Sequence, residues 1–403
     1  MLRNYVLTTL RNISRRKGFS LLNVLGLAIG LAASLLILQY VKDELGYDDF
    51  HAHAKNIYRV QYDCYRDGEQ MFQCASAFNN VGTNMIKEYP EIENVCRLYL
   101  RYGGGVIRYN EVSIKEDNLF NADQSFFEVF SYPLLAGDRS TALKEPNTAV
   151  VEEQTARKFF GDEDPIGKRI RFRTDEEYEI TGVIRSPENS HLKFTFLFSY
   201  TTYPKFWPEM TAENWENSWG WYDFYNYIQL KPGTDPASLQ AKFPAFVKKY
   251  GHEGDTARIR FSLQRLPDIH LKSNLIQEAP VNGNSDSVYF LMVIALFILV
   301  IAWVNYVNLA TARAIERAKE VGVRKAIGAR RGQLIWQFIG EAFMINLFAV
   351  LLALALLNVS IPLFNTMSGK SLTSSILYDP NLWLALGGLF VFVTIFLRAC
   401  RTS

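Results

Sequence analysis

Residues 21–41 read LLNVLGLAIGLAASLLILQYV, and none of these 21 positions carries a charged side chain. An α-helix of this length is about 31 Å long, which is enough to cross the hydrocarbon core of a bilayer. Buried helices of soluble proteins rarely run so far without a charge, so the stretch predicts a transmembrane helix. It is too long for the apolar part of a signal peptide, and no small-residue cleavage site follows it, so an uncleaved anchor is favoured.

Three more apolar runs follow, at 288–311, 334–364 and 382–397. The last, LWLALGGLFVFVTIFL, corresponds to only about 24 Å of helix and is marginal for a span. The pattern predicts four transmembrane helices, with a long polar stretch at 42–287 between the first two.

Lysine and arginine are unevenly distributed between the segments that flank the apolar runs. Residues 1–20 hold five basic groups and no acid, and residues 312–333 hold seven basic groups against two acids. Such segments stay in the cytoplasm, so the N-terminus, 312–333 and the C-terminus are predicted to be cytoplasmic. The stretch 42–287 and the loop 365–381 then face outward from the inner membrane, which the chain crosses several times.

The outward stretch is far too long for a loop and must fold as a domain. It contains 28 basic and 37 acidic residues, a net charge of −9, which excludes the basic footprint of a nucleic-acid binder. Alternating apolar patterns and helix signals predict a mixed α+β domain, with a second lobe inserted at 100–225. The predicted elements are strands at 55–65, 225–231 and 258–266, a hairpin at 169–186, a helix ending before Pro90, and a helix at 235–251 with Asp235 as N-cap and a kink at Pro244.

Two stretches of this domain resemble sites at first sight. GDEDPIGKRI at 161–170 has five residues between its glycines and an arginine after its lysine, so it departs from a Walker A phosphate loop. His51 and His53 have no cluster of further ligands at typical spacing, and no metal site is predicted.

Cys64 and Cys74 are ten residues apart on the outward side, where a hairpin disulfide is one interpretation and packed thiols are the other. Cys96 would be left without a partner. The aromatic run at 207–227 is either a binding surface or the core of a lobe.

The cytoplasmic segment ERAKEVGVRKAIGARRGQL at 316–334 is basic and is interrupted by glycines, among them Gly322 and Gly328. Glu320 and Arg324 have the i, i+4 spacing of a helix, and apolar residues lie between Gly322 and Gly328. Fixing the topology explains the charge but not the apolar residues. A short amphipathic helix near 323–329 that docks with a partner explains both.

The longer run NLATARAIERAKEVGVRKAIGARRGQLIWQFIGEAF at 308–343 resembles the signature of the FtsX/MacB-type ABC transporter permeases. The stretches 2–31, 47–60 and 149–194 resemble the lead-in, the first span and the extracytoplasmic domain of that family. The resemblance implies a membrane α-helical protein with four spans and a large α+β extracytoplasmic domain between the first two. It implies no ATPase in this polypeptide, and it places ATP and Mg²⁺ on a partner.

In that family a cytoplasmic ATPase dimer docks beneath the spans, and its motion is transmitted mechanically to the outer domains. The resemblance implies a cytoplasmic helix along the membrane at 1–20 and a coupling segment within 312–333. The residues implied to couple to the ATPase are Arg317, Glu320, Val321, Gly322, Val323, Arg324, Lys325, Ala326, Gly328 and Ala329.

Small and polar residues inside the spans predict helix packing. Gly26, Gly30 and Ser34 repeat every four residues and allow close approach of another helix, although glycine is common in such spans. Glu341 lies within the third span, where an acid normally has a protein partner, and Asn305 or Asn308 are candidates.

The resulting hypothesis is a permease subunit, without covalent chemistry of its own, for export or extraction of a lipoprotein, peptide or hydrophobic compound. Its expected partners are an ABC ATPase subunit, a second permease copy or a paralogue, membrane lipid and a periplasmic adaptor. The alternative is a transmembrane regulator that activates a periplasmic partner such as a cell-wall hydrolase. Long members of the family repeat the four-span unit, so half of a longer ancestor and a truncated chain both stay open.

Overall fold

The apolar run at 21–41 lies within helix α1, Lys17–Leu45, because nothing in these residues interrupts helical hydrogen bonding. The computed structural model describes residues 17–173, 176–206, 216–252, 254–279, 282–326, 331–373, 377–380, 383–384 and 387–388. The chain divides into a helical unit, Met1–Asp43 with Ser285–Ser403, and an α+β domain, Glu44–Asn284.

The α+β domain contains thirteen strands and seven helices among its described residues. The strands are β1 Ile57–Arg66, β2 Glu69–Cys74, β3 Ile92–Leu100, β4 Gly105–Tyr109, β5 Val112–Glu116, β6 Leu119–Ala122, β7 Leu134–Gly137, β8 Thr148–Glu152, β9 Arg169–Phe172, β10 Glu176–Ile184, β11 Phe196–Ser199, β12 Phe224–Leu230 and β13 Ile259–Arg265. The helices are α2 Asn80–Glu88, α3 Phe126–Val129, α4 Glu153–Phe160, α5 Pro236–Gln240, α6 Phe243–Tyr250, α7 Asp255–Arg258 and α8 Leu266–Lys272. Short 3-10 turns precede β1 and follow β11.

All thirteen strands belong to one sheet, in the order β13-β1-β12-β3-β6-β11-β8-β10-β9-β4-β5, with β2 beside β1 and β7 beside β10. Pairing is antiparallel except for β8 with β10 and β6 with β11. β1 lies between β12 and β13 and is antiparallel to both, so these two strands run parallel with β1 between them. The strand–helix–strand run near 225–266 is therefore a crossover that spans an inserted strand.

Three apolar cores hold helices against this sheet. Leu239, Phe243, Phe246 and Val247 of α5 and α6 pack in one core with residues of α2, β1 and β12. A second core surrounds α4, and a third contains α3 and α8. The second core has its own residues, yet its strands continue the same sheet through the pairing of β3 with β6. The predicted second lobe is thus an extension of the first sheet and not a separate one.

The helical unit continues with α9, Ser285–Ala326, and α10, Arg331–Ser368. Within the described residues, three helical stretches are long and apolar enough to cross a membrane: Leu21–Leu45, Ser285–Asn308 and Phe343–Ser368. The fourth predicted run, 382–397, lies outside the described residues apart from 383–384 and 387–388, as do residues 1–16 of the predicted cytoplasmic helix.

Most of the local predictions for the α+β domain are confirmed. Strands form near 55–65, 225–231 and 258–266, and β9 pairs with β10 as the predicted hairpin. Asp235 caps α5 by accepting hydrogen bonds from two backbone N–H groups of its first turn.

Two local predictions were wrong. Pro244 does not kink one long helix: it lies in the first turn of a separate helix, α6, where its missing N–H has no intrahelical partner to lose. The turn that Gly322 was expected to allow between the second span and a short helix does not form either. α9 continues through Gly322 to Ala326, since one interior glycine costs only about 1 kcal/mol in a helix. The short separate helix expected at 323–329 is therefore the end of α9 as far as residue 326, and 327–330 lie outside the described residues.

Candidate coupling sites

One face of α1 packs closely against α9. A Cβ placed on Gly30 would lie 2.6 Å from the Cβ of Ala302, and one on Gly26 would lie 3.2 Å from Asn305 Nδ2. One turn further on, Ser34 Oγ donates a 3.0 Å hydrogen bond to the carbonyl oxygen of Ala295. The stripe of small residues in α1 thus lets the two backbones approach, and the serine satisfies its hydroxyl across the contact.

Gly30→Ala is expected to destabilise the helical unit by about 1–3 kcal/mol, because the new methyl group would overlap Ala302. Gly18→Ala in the same helix is the matched control. A Cβ there meets nothing within 4 Å, so the change should be neutral or stabilising by up to about 1 kcal/mol. Thermal unfolding of the purified chain in detergent measures both. Adding Ala302→Gly should recover part of the loss, and equal effects of the two alanines would refute close packing at Gly30.

The neighbouring face of α1 packs along α10. The buried residues of this interface are Ala28, Leu31, Ala32 and Leu35 of α1 and Ala349, Ala353, Leu357 and Ile361 of α10. α1 therefore contacts both other described helices, and it is the helix that leads directly into the α+β domain.

The ends of α9 and α10 that flank residues 327–330 extend well beyond the apolar spans. The apolar part of α9 ends at Asn308, and residues 309–326 continue the helix by about 27 Å. α10 begins at Arg331, about 18 Å of helix before its apolar part starts at Phe343. The basic segment singled out in the sequence is thus largely a helical extension of two spans.

The predicted coupling residues lie in this extension. Val323 is 59% exposed, and it supplies an apolar side chain where the sequence predicts a docking face. The side chains of Arg317, Glu320, Val321, Gly322, Arg324, Lys325 and Ala326 lie outside the described part of the chain, as do Gly328 and Ala329 entirely. The side chain of Glu341 also lies outside it, so its pairing with Asn305 or Asn308 stays a prediction.

A buried hydrogen bond joins the place where the chain enters the α+β domain to a helix near the place where it leaves. Glu44, its first residue, accepts a 2.9 Å hydrogen bond from His270 of α8, and the ring of Tyr47 stacks on that imidazole. Near the other end, a Cβ on Gly283 would lie 2.8 Å from the Glu44 carboxylate and 2.9 Å from His270 Nε2. Glycine is therefore required where the departing chain crosses the pair. Displacement of either connection must move the other.

A buried ion pair attaches residues 273–279 to the sheet. We call these residues the exit segment. Arg59 of β1 is 1% exposed at its side chain and donates to both carboxylate oxygens of Glu278, at 2.7 and 2.8 Å. It also donates to Gln264 and to Ser273. Burial is the largest single influence on the Glu278 pKa, and it raises this pKa. The hydrogen bonds and the charge of Arg59 act in the opposite direction, and the pKa of Glu278 is lowered below its ordinary value.

Backbone hydrogen bonds reinforce the same segment. Ile276 exchanges bonds with Ala75 and Gln73 at 2.9 and 3.0 Å, and Tyr225 donates to the carbonyl oxygen of Gln277. The Gln277 side chain donates in turn to Asp223. The exit segment is thus attached to β2 and β12.

A third buried cluster lies just after the entry. The Asp48 carboxylate accepts bonds from the backbone and the ring of His191, whose other ring nitrogen lies 2.8 Å from the Tyr227 hydroxyl. Burial opposes the charge of Asp48, but attraction to His191 and its hydrogen bonds outweigh burial and lower the Asp48 pKa. The ring of His51 lies beside this carboxylate and accepts a bond from the backbone of Ser131. His51 is therefore part of a buried structural cluster.

Burial lowers the pKa of His51 from 6.5 to about 4. His51 takes up a proton near pH 6.5 in the unfolded chain but only near pH 4 in the folded domain. The stability of the folded domain therefore falls as the pH falls through this window. The expected loss between pH 7 and 4.5 is about 2–3 kcal/mol, measured by urea unfolding of the full chain in detergent. His51→Gln should remove this slope, and His53→Gln, an exposed neighbour, should keep it. An unchanged slope in His51→Gln would show that other groups carry it.

The other predicted site residues have ordinary roles. Cys64 and Cys74 are free thiols, and the register places Cys74 opposite Tyr62 and Cys64 opposite Phe72, so the structure does not contain the bridge that the spacing allowed. Among the described residues, no group of three histidine, cysteine or acidic side chains is arranged to hold a metal.

In the described part of the aromatic run, 216–227, most aromatic side chains lie in or against a core, while Trp221 is exposed. Trp219 and Tyr222 pack against one apolar core, and Phe224, Tyr225 and Tyr227 are buried. Residues 207–215 lie outside the described residues.

No pattern in the sequence indicated the pairs Glu44–His270 and Arg59–Glu278. The partners are separated by 226 and 219 positions. A single arginine in a strand or a single histidine in a helix has no local pattern that identifies its partner. One feature was visible: Arg59 falls inside a predicted strand rich in aromatic and apolar residues, where a charged side chain needs a partner if it is buried.

Three helices of bilayer length and apolar composition among the described residues, in one chain with a large α+β domain, define a membrane protein that carries a folded domain. Comparison with known proteins agrees with this. The model of the MacB-like periplasmic core domain matches residues 20–246, more than half of the chain, and that of the FtsX-like permease C-terminal region matches 292–400. The chain belongs to the FtsX/MacB-like family of ABC transporter permeases, which are inner-membrane proteins with a periplasmic domain.

Individual relatives are distant. The macrolide export ATP-binding/permease protein MacB of Neisseria gonorrhoeae is 26% identical over 257 residues, which cover 63% of this chain and 36% of the relative. The chain thus spans about a third of the length of that protein. The uncharacterised ABC transporter permease YvrN of Bacillus subtilis is 21% identical over 358 residues, which cover 85% of this chain and 83% of YvrN.

Among solved structures, a domain of a permease protein from Porphyromonas gingivalis is similar, with a TM-score of 0.45 and 24% identity. It covers 56% of this chain and 97% of that domain.

Proposed function

We propose that the chain is a permease subunit that transmits the ATP-driven motion of a separate ATPase subunit to its periplasmic α+β domain. The ATPase docks at the ends of α9 and α10 around residues 327–330, on the cytoplasmic side. The task we propose is export or extraction of a lipoprotein, peptide or hydrophobic compound. We also propose that the chain has four spans. Its further partners in this proposal are a second permease copy or a paralogue, and a periplasmic adaptor.

The continuity of α9 is the observation that carries this proposal. One helix of 42 residues, about 63 Å long, joins the last residue of the α+β domain to the basic segment. A helix resists bending far more than a loop does, so displacement of residues 317–326 must reach Ser285. The exit segment then passes the displacement to the sheet through Glu278 and Arg59.

The entry of the domain supports the same mechanism. The pair Glu44–His270, crossed by Gly283, joins the connection from α1 to the connection toward α9. A relative movement of the two helices is therefore applied to one small cluster of the domain and not to two independent linkers. This arrangement suits mechanical transmission and requires no reaction at a catalytic group.

Co-purification tests the proposal. The tagged chain, extracted in mild detergent from membranes of its own host, should bring with it a nucleotide-binding subunit and vanadate-sensitive ATP hydrolysis. A folded, inserted chain that brings neither would overturn the coupling role. A stably bound periplasmic hydrolase without any ATPase would favour the regulator instead.

A further inference from the structure

Two ion pairs tie the segment after α10 to the last turn of α1, just before the α+β domain begins. Lys42 Nζ lies 2.6 Å from Asp379 Oδ2, and Lys370 Nζ lies 3.2 Å from Asp43 Oδ2. Lys370 also lies over the ring of Tyr40, at 5.4 Å from its centroid. Adjacent residues of α1 thus hold two points of one segment, nine positions apart.

The described residues of this segment make contacts of their own. Asn365 accepts a bond from the backbone N–H of Leu372 at 3.0 Å and donates one to the Leu372 carbonyl at 2.9 Å. Gly369 adopts φ +67°, a left-handed conformation that ends α10 and turns the chain. Leu372 is buried, and Trp383 donates its indole N–H to the carbonyl of Leu377.

The ion pairs continue an interface that already runs along the two helices. α1 and α10 pack through alanine and leucine side chains, and the rings of Tyr40 and Phe364 meet edge to face at 5.9 Å near its end. Beyond Phe364, Leu377 still packs against this core, and the four charged residues add ion pairs at the same end.

We infer that Lys42, Asp43, Lys370 and Asp379 form a bracket that makes α1 and α10 one body at this end. The inference rests on the proposed function for its consequence. α10 does not follow or precede the α+β domain directly in the chain, since α9 lies between them. Through the bracket, however, it acts on Asp43, the residue before Glu44. Motion of the ATPase would then reach the domain by two routes: along α9 to the exit, and along α10 through the bracket to the entry.

The strength of the bracket fits a positioning role. Each pair is partly exposed, with side-chain exposures of 51% and 21% for Lys42 and Asp379, and 21% and 26% for Lys370 and Asp43. A pair of this kind is individually weak, so the bracket acts through four charges on a segment that is already folded. Loss of one charge should loosen the segment and leave the helices inserted.

A charge-swap cycle on the full chain tests the bracket. The variants are Lys42→Asp, Asp379→Lys and the double swap, and Lys87→Asp on exposed α2 is the control. Amide hydrogen exchange at 369–373 and 377–380 should speed up about two- to five-fold in each single variant. The double swap should restore most of the lost protection against exchange, while the control should leave the exchange rates unchanged. Recovery is expected to be incomplete, because an acid at position 42 opposes the dipole of the α1 C-terminus.

The energetic coupling between positions 42 and 379 is the decisive quantity. Strictly additive effects of the two single variants would overturn the bracket, whether or not an ATPase binds. The same variants should keep the ATPase bound but change vanadate-sensitive hydrolysis per bound subunit at least about two-fold, with return in the double swap.

Unchanged hydrolysis alongside coupled exchange would reduce the bracket to a structural feature and refute its positioning role. Absence of an ATPase from every preparation, wild type included, would overturn the proposed function and the second route with it. The exchange data would still decide whether the bracket exists.

Discussion

Arg324→Glu combined with Lys325→Glu is expected to abolish association with the ATPase, with at least a ten-fold loss of co-purified subunit, while the chain stays inserted. Both residues lie in the last turn of α9, about 24–26 Å beyond its apolar part. The change reverses the charge of the proposed docking face. Like charges brought together at a recognition surface cost several kcal/mol, which corresponds to more than ten-fold in affinity.

The charge reversal needs a control for total charge and one for the helix end. Lys87→Glu with Lys158→Glu makes the same charge change on exposed helices of the α+β domain and should leave the ATPase bound. Arg324→Gln with Lys325→Gln removes the charges without placing acids at a helix C-terminus, where they oppose the dipole. We expect it to retain an intermediate amount of ATPase. Full retention by the double-glutamate variant would show that the docking face lies elsewhere.

The spans and many elements of the α+β domain could be predicted because their signals are local. An uncharged run of bilayer length, an alternating strand, or Asp235 before Pro236 each stabilises one conformation within a few residues. Gly26, Gly30 and Ser34 belong here too, since their spacing alone places them on one face of α1. Their partner could not be read from α1: it depends on which helix approaches.

Long-range arrangements could not be predicted, because no local signal identifies the distant residues that make the contacts. The pairing of β3 with β6, which extends one sheet through the predicted second lobe, depends on contacts between distant residues. The glycines of the coupling segment were misleading, because Gly322 is tolerated in α9. The bracket also joins distant stretches, and Lys42 and Asp379 are 337 positions apart.

Arg59→Met is expected to destabilise the α+β domain by about 3–5 kcal/mol, since it removes one partner of a buried ion pair and leaves Glu278 without its counter-charge. Methionine keeps much of the length of the side chain, so lost volume is a minor part of the effect. Arg66→Met, at the exposed end of the same strand, is the matched control and should cost less than about 0.5 kcal/mol. Urea unfolding of the detergent-purified chain compares the two.

The pH dependence of this deficit identifies its cause. In the wild type the lowered pKa of Glu278 contributes stability above its unfolded value of 4.5, which is lost as the pH falls through the folded value. Without Arg59, only the hydrogen bond from Ser273 and the attraction to His191 still oppose burial, so the pKa of Glu278 rises and protonation at low pH should shrink the deficit of Arg59→Met. Glu278→Gln added to Arg59→Met should likewise restore part of the stability at pH 7. A deficit that is independent of pH and of Glu278→Gln would mean that lost packing, and not the unpaired carboxylate, weakens the hold of the sheet on the exit segment.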